Sequence, residues 1–230
     1  MPPGLVLENA SFRYGTIWVL LETTLSVAPG ETLVLTGENG VGKSTLLYLL
    51  GGLLSATTGR VLFDGHEPSV SRPSDLVRNG VRRGFVFQHG ALFANLSALD
   101  NVLLALRYHA DVLGLDDGAV MRRGRDTLRE LRVASSDLYS LPAHLSAGVR
   151  QRVSLARALA IDPNFVFMDD PDQGLDEATR QFVLDHLVKL RDDRKRTVVL
   201  TTTDPEVVER LGVRVLKLEQ GRLLTEERRA

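Results

Sequence analysis

The chain has 230 residues, 43% hydrophobic and 25% charged, enough to bury a full core in one domain with a subdomain or in two small domains. Its 28 basic and 29 acidic residues leave a net charge of −1, which excludes the basic footprint of a nucleic-acid binder. Cysteine is absent, which excludes disulfide and thiol chemistry and fits a reducing compartment. The opening Met1-Pro2-Pro3-Gly4-Leu5-Val6-Leu7-Glu8 has neither a basic region nor a long apolar stretch, so no secretory signal is expected. The most apolar run, Leu46 to Leu54, is too short to span a bilayer. A soluble protein is expected, one that reaches a membrane only through a partner.

Short apolar runs punctuated by Pro29-Gly30 and Asp64-Gly65 predict strands over 5–36 and 59–65. Between them, Gly37-Glu38-Asn39-Gly40-Val41-Gly42-Lys43-Ser44 fits G-x-x-x-x-G-K-[ST] at every fixed position. The strand-like Thr32–Thr36 precedes it, and Ser44-Thr45-Leu46-Leu47-Tyr48-Leu49-Leu50 reads as the first turns of a packed helix. Such a strand-loop-helix aims backbone N–H groups and a helix N-terminus at a polyphosphate. The glycines let the chain wrap anionic oxygens closely, partly at positive φ. Residues 37–45 are therefore the expected nucleotide-binding set, with Lys43 reaching the β- and γ-phosphates and Ser44 ligating Mg²⁺.

Gly84-Phe85-Val86-Phe87 predicts a further strand. Residues 98–160 change character: Leu99, Val102, Leu103 and Leu106, then Leu128 and Leu131, recur at helical spacing. This is the pattern of a helical insertion in an α/β core. Arg122, Arg123, Arg125, Arg129 and Arg132 within it read either as a basic face toward a membrane or partner, or as a solvated helix face. Two bare apolar strands follow, Phe165–Met168 and Thr197–Leu200, separated by a helix over about 177–190. Runs apolar on both faces suit central parallel strands covered by helices. The first ends in Asp169-Asp170, the carboxylate-tipped strand that a Mg²⁺ site needs. Arg191–Arg196 is expected to be a solvated loop, and Val213–Leu218 a final strand with a turn at Gly221.

The stretch Leu145-Ser146-Ala147-Gly148-Val149-Arg150-Gln151-Arg152-Val153, continuing to Leu159, resembles the signature of ATP-binding-cassette (ABC) ATPases, whose usual form is L-S-G-G-Q followed by a helix. Physically, Ser146 and Gly148 open a helix whose N–H groups can bind an anion. In that family the anion is the γ-phosphate of ATP held on the opposite subunit. The other marks fall in the family's order along essentially the whole chain. Tyr14 sits where the family stacks an aromatic ring on adenine, Gln88 where a glutamine senses Mg²⁺ and the membrane partner, and Gln173-Gly174-Leu175-Asp176 where a loop crosses the dimer interface.

The resemblance implies an α/β fold: a RecA-like P-loop NTPase core with an N-terminal antiparallel β subdomain and an inserted α-helical subdomain. One domain over 1–230 is expected, with 1–88 and 156–230 forming core and β subdomain and 89–155 the helical subdomain with the signature. It implies ATP and Mg²⁺ as cofactors, with Ser44, Gln88 and Asp169 around the metal and Ser146, Ala147 and Gly148 acting in trans. It also implies a homodimer, or a heterodimer with a second ABC ATPase, docked on integral-membrane permease subunits at the cytoplasmic face of the membrane. No nucleic acid and no direct membrane insertion are expected.

Three positions depart from the family pattern. Asp170 stands where a Glu usually positions the attacking water, and is one methylene shorter. Thr203 stands where the family has a His that contacts the γ-phosphate. Ala147 and Val149 alter the signature while Ser146 and Gly148 survive. Nucleotide binding is thus expected intact, and hydrolysis through Asp170, Gln88 and Thr203 impaired. Finally, Gln88-His89-Gly90-Ala91-Leu92-Phe93, with Asp100-Asn101-Val102 and Leu106-Arg107-Tyr108-His109, is similar to the same region of the Mla/MCE phospholipid-transport ATPases. A lipid cargo is expected on that basis. Leu92 and Phe93 are expected either exposed, as a partner surface, or buried, as subdomain core. The alternative function is a nucleotide-gated or catalytically degenerate subunit that clamps a membrane partner or pairs with an active ATPase.

Overall fold

The computed structural model describes residues 4–68 and 74–225. Its elements run β1 (Leu5–Tyr14), β2 (Ile17–Val27), β3 (Thr32–Thr36), α1 (Lys43–Leu50), β4 (Thr58–Phe63), α2 (Ser74–Arg78), β5 (Arg83–Val86), α3 (Ala98–Tyr108), α4 (Ala110–Leu113), α5 (Asp117–Glu130), α6 (Ala147–Leu159), β6 (Phe165–Asp169), α7 (Glu177–Asp193), β7 (Thr197–Thr201), α8 (Pro205–Leu211), β8 (Arg214–Glu219) and β9 (Arg222–Thr225). Strands β2-β1-β4 form an antiparallel sheet. A second sheet has the order β5-β6-β7-β3-β8-β9 and is parallel except for the β8–β9 hairpin.

The strand alternation of the parallel sheet divides the core in two. Val34, Val166, Met168, Val198 and Leu200 point into one cluster with α3, α5, α6, α7 and α8. Leu33, Leu35, Phe165, Phe167 and Val199 point into the other, with α1 and the antiparallel sheet. Both faces are buried, which is why these strands read as unbroken apolar runs. Each fully buried Val, Leu or Phe contributes about 1.5–3 kcal/mol. The division also puts α1, with the phosphate-loop pattern, and α6, with the signature, on opposite faces of the sheet.

The helical stretch breaks where its caps dictate. Ser97, Asp116 and Ser146 accept hydrogen bonds from the first turns of α3, α5 and α6, and Gly114 ends α4 in a left-handed conformation. Three short elements, α2, α8 and β9, are absent from the sequence reading. Asp204 caps α8 and Pro205 opens it.

The charge run Arg191–Arg196 is exposed over 192–195, as a solvated segment should be, but only its second half is loop. Its first three residues finish α7, and Arg191 Nη1 donates to the Leu211 carbonyl at 2.6 Å. Arg196 pairs with Asp162 and Asp193 at 2.8 and 2.7 Å. Of the basic stretch, Arg122, Arg125, Arg129 and Arg132 are exposed and Arg123 is half-buried, in line with the solvated-face alternative. Arg125 donates to the Tyr139 hydroxyl, Arg129 pairs with Asp126, and Arg132 lies over the Phe182 ring. Among the described residues no helix is long and apolar enough to cross a membrane.

Candidate functional site

The loop 37–42 leaves β3 and enters α1 at Gly42, whose φ of 109° only glycine adopts without strain. A Cβ there would come within 2.5 Å of a Val19 methyl. Lys43 is buried, and its ammonium donates to the Gly37 and Glu38 carbonyls at 3.0 Å each. The cation thus sits over the loop that the sequence assigns to phosphate.

Asp169, at the tip of β6, is 2% exposed and its carboxylate accepts three hydroxyls. Ser44 and Thr201 donate to Oδ1 at 2.9 and 2.8 Å, and Tyr48 donates to Oδ2 at 2.7 Å. Burial, then the bond to Asp169, pushes the Tyr48 phenol well up, so it remains a donor. Thr201, on the strand between β6 and β3, also accepts the Asp170 amide at 2.9 Å. Asp170 takes a φ of 41°. Burial, then the neighbouring Asp169 charge, raises its pKa above the usual carboxylate value, and Lys43 pulls it back.

Among the described residues no three His, Cys, Asp or Glu side chains form a metal cage. The Ser44 hydroxyl and Asp169 carboxylate are hard oxygen donors on rigid elements. They fit a Mg²⁺ that takes the rest of its shell from phosphate and water.

Tyr14 is half-exposed, with its hydroxyl 3.5 Å from Thr45 Oγ1 and its ring edge-on to Phe12. Gln88 opens a 3₁₀ turn after β5, and its side-chain amide donates to the Gln173 side-chain carbonyl. The two loops assigned to metal sensing and to dimer contact therefore meet. Thr203 is exposed after β7, in a segment held by Arg180, which pairs with Asp204 at 2.5 Å and Glu206 at 2.7 Å. Arg180 also lies 4.0 Å from the buried Asp172.

Ser146 and Ala147 are exposed at the start of α6, where the Ser146 hydroxyl accepts the Val149 amide at 3.2 Å. Gly148 is buried against α7. Gln151 donates to the Pro171 carbonyl at 2.7 Å, tying α6 to the loop after Asp170.

Beside this site lies an apolar groove of about 660 Å³, lined among others by Phe85, Phe87, Phe93, Leu104 and Tyr108. Phe93 is 52% exposed in it, whereas Leu92 is half-buried and packs on the core. The two alternatives for this pair thus divide, one residue to each. Asn101, fully buried, holds the turn: its amide group donates to the carbonyls of Phe93, Leu96 and Ser97 and accepts the Phe93 N–H at 2.8 Å. Sequence reasoning missed Tyr48, Thr201 and Arg180, and named Asn101 only within a family-like string. Only Tyr48 carries a local signal, standing four residues beyond Ser44 on the same helix face.

A family model described as ABC transporter matches residues 20–173. The sulfate/thiosulfate import ATP-binding protein of Bacillus cereus is 32% identical over 220 residues, covering 96% of this chain and 60% of that protein. The glycine betaine/proline betaine transport system ATP-binding protein of Escherichia coli is 34% identical over 224 residues, covering 96% and 54%. The chain spans less than two thirds of the length of either relative. Among solved structures, the dimeric ABC transporter cassette MJ0796 superposes with a TM-score of 0.86 at 31% identity, covering 97% of each chain. The post-hydrolysis dimer of that cassette, bound to ADP and Pi, superposes with a TM-score of 0.85 at 30% identity and the same coverage.

Proposed function

This chain belongs to the ABC transporter family and has the ABC ATPase fold, and we propose that it is the ATP-binding subunit that powers a membrane permease. The observation that carries this is the convergence of Lys43 on the loop 37–42 with the Ser44–Asp169 pair at its mouth. The loop amides and Lys43 bind the phosphates, Tyr14 stacks on adenine, and Thr45 supports the loop from α1. Ser44, Gln88 and Asp169 would hold a Mg²⁺, which would supply charge neutralisation for the phosphates.

Two copies, or this chain and a second ABC ATPase, close head to tail so that Ser146, Ala147 and Gly148 of one face the γ-phosphate on the other. The placement of α1 and α6 on opposite faces of the sheet favours this trans arrangement. The permease docks in the Phe93 groove from the cytoplasmic side.

For cargo we propose a small water-soluble solute taken up by import. The two curated relatives are named for sulfate/thiosulfate and for betaines, and they lend no support to the lipid expected from Gly90-Ala91-Leu92-Phe93. That string also has a folding role: His89, Gly90 and Ala91 take successive positive φ values, and Arg157 donates to the Gly90 and Ala91 carbonyls. Titration with a non-hydrolysable ATP analogue, with and without Mg²⁺, tests the nucleotide reading, and absence of binding sinks it. Solute uptake by the reconstituted permease complex tests transport.

A second reading, a slow or degenerate ATPase beside an active partner, is favoured by Asp170 and Thr203. A general base displaced by about 1 Å loses on the order of a hundredfold in rate. Asp170→Glu with Thr203→His is then expected to raise turnover more than either change alone, because base and phosphate contact act as a unit. A double variant no faster than wild type in a steady-state assay rejects this reading.

A further inference from the structure

The Asp169 carboxylate is held from two sides by donors of different kinds. Oδ1 accepts Ser44, which belongs to the phosphate loop, and Thr201, which belongs to β7. Oδ2 accepts Tyr48 alone, at 2.7 Å. A carboxylate whose two oxygens accept from different hydroxyls has one favoured rotation, with Oδ1 toward Ser44 and Thr201 and Oδ2 toward Tyr48. We propose that Tyr48 is a positioning residue for the metal-facing carboxylate: its hydroxyl fixes the rotation of Asp169 that presents Oδ1 beside the Ser44 hydroxyl. This rests on the Mg-ATP reading given above.

The ring of Tyr48 is itself held. It meets Phe87 edge-on with centroids 5.9 Å apart. Phe87 lies parallel to Phe85 at 5.8 Å, and Phe85 stacks on Phe167 at 5.3 Å, two residues before Asp169 on β6. The phenol is thus anchored to the strand that carries the carboxylate it orients. Groups that orient a metal's carboxylate from outside the coordination shell are worth about 10- to 100-fold in metal affinity or activity.

Tyr48→Phe in the full chain removes one oxygen and keeps the ring. The probe is Mn²⁺, an oxygen-seeking octahedral ion read by electron paramagnetic resonance on the protein saturated with ATP. The expected result is roughly tenfold weaker Mn²⁺ binding to the Tyr48→Phe complex, with ATP-analogue affinity in chelator unchanged. Equal Mn²⁺ affinities overturn the inference. So does a matching loss of metal-free analogue affinity, which marks a general disturbance, or loss of the fold by circular dichroism, which marks a structural residue. If the wild-type protein binds no analogue, the nucleotide reading falls and this inference with it. If wild type binds both ligands and Tyr48→Phe matches it, this inference alone falls.

Discussion

Lys43 is buried with its ammonium on two carbonyls of its own loop. Bound phosphate oxygens would replace those neutral acceptors with charged ones. Lys43→Ala is therefore expected to weaken ATP-analogue binding by about 1.5–3 kcal/mol, and equal affinities in a titration would contradict it. Asp170 gives a pH-dependent outcome. Burial, then Asp169, raises its folded-state pKa, so the folded protein holds that proton more tightly than the unfolded chain. The ionised carboxylate therefore subtracts from stability above its raised pKa, and the deficit vanishes below the unfolded value. Asp170→Asn should melt above wild type at neutral pH, with the gap closing as pH falls through the carboxyl range. A pH-independent gap in thermal melts would show that charge burial is not the cause. At this scale the loop and Asp169 were legible because their chemistry lies within a few consecutive residues. Thr201 was not, because the carboxylate it serves is more than thirty residues away on another strand, and Tyr48 showed only its place one turn beyond Ser44.

Helix α6 begins where sequence said, at Ser146, because a serine cap is a local signal. What sequence concealed is how closely α6 approaches α7. A Cβ on Gly148 would lie 2.5 Å from Thr179 Oγ1, and that hydroxyl is held by its bond to Asp176 at 2.9 Å. Gly148→Ala gains helix propensity of about 1 kcal/mol but overpacks a fixed contact, which costs about 1–3 kcal/mol. Net destabilisation is expected in denaturant unfolding. Adding Thr179→Ala, which removes the obstructing oxygen and methyl, should recover part of it. An additive double variant would mean that the two helices do not press on each other here. The same distinction between local and distant causes explains α8 and β9. Four and seven residues are too few for periodicity to register, and β9 exists because β8 offers it an edge.

The parallel core was legible from its both-face apolar strands. The order that sets β7 between the loop strand and the carboxylate strand was not, since it is a matter of which distant segments meet. The division of Leu92 from Phe93 is of this kind. Both residues are equally apolar in sequence, and only the turn held by Asn101 sends one into the core and leaves the other in the groove. Their substitutions should therefore behave differently. Leu92→Asp buries a charge against the core cluster, and should lower the melting temperature and the helical circular dichroism signal. Phe93→Asp introduces its charge at a half-exposed site, and should leave both nearly unchanged. If the groove is where the permease docks, Phe93→Asp alone should release a folded, nucleotide-binding protein from membranes that retain the wild type. Leu104, 44% exposed and also lining the groove, should behave as Phe93 does when changed to Asp. Membrane fractionation beside an analogue titration separates the outcomes. A Phe93→Asp protein that binds the analogue and stays with the membrane fraction would move the docking surface elsewhere on the molecule.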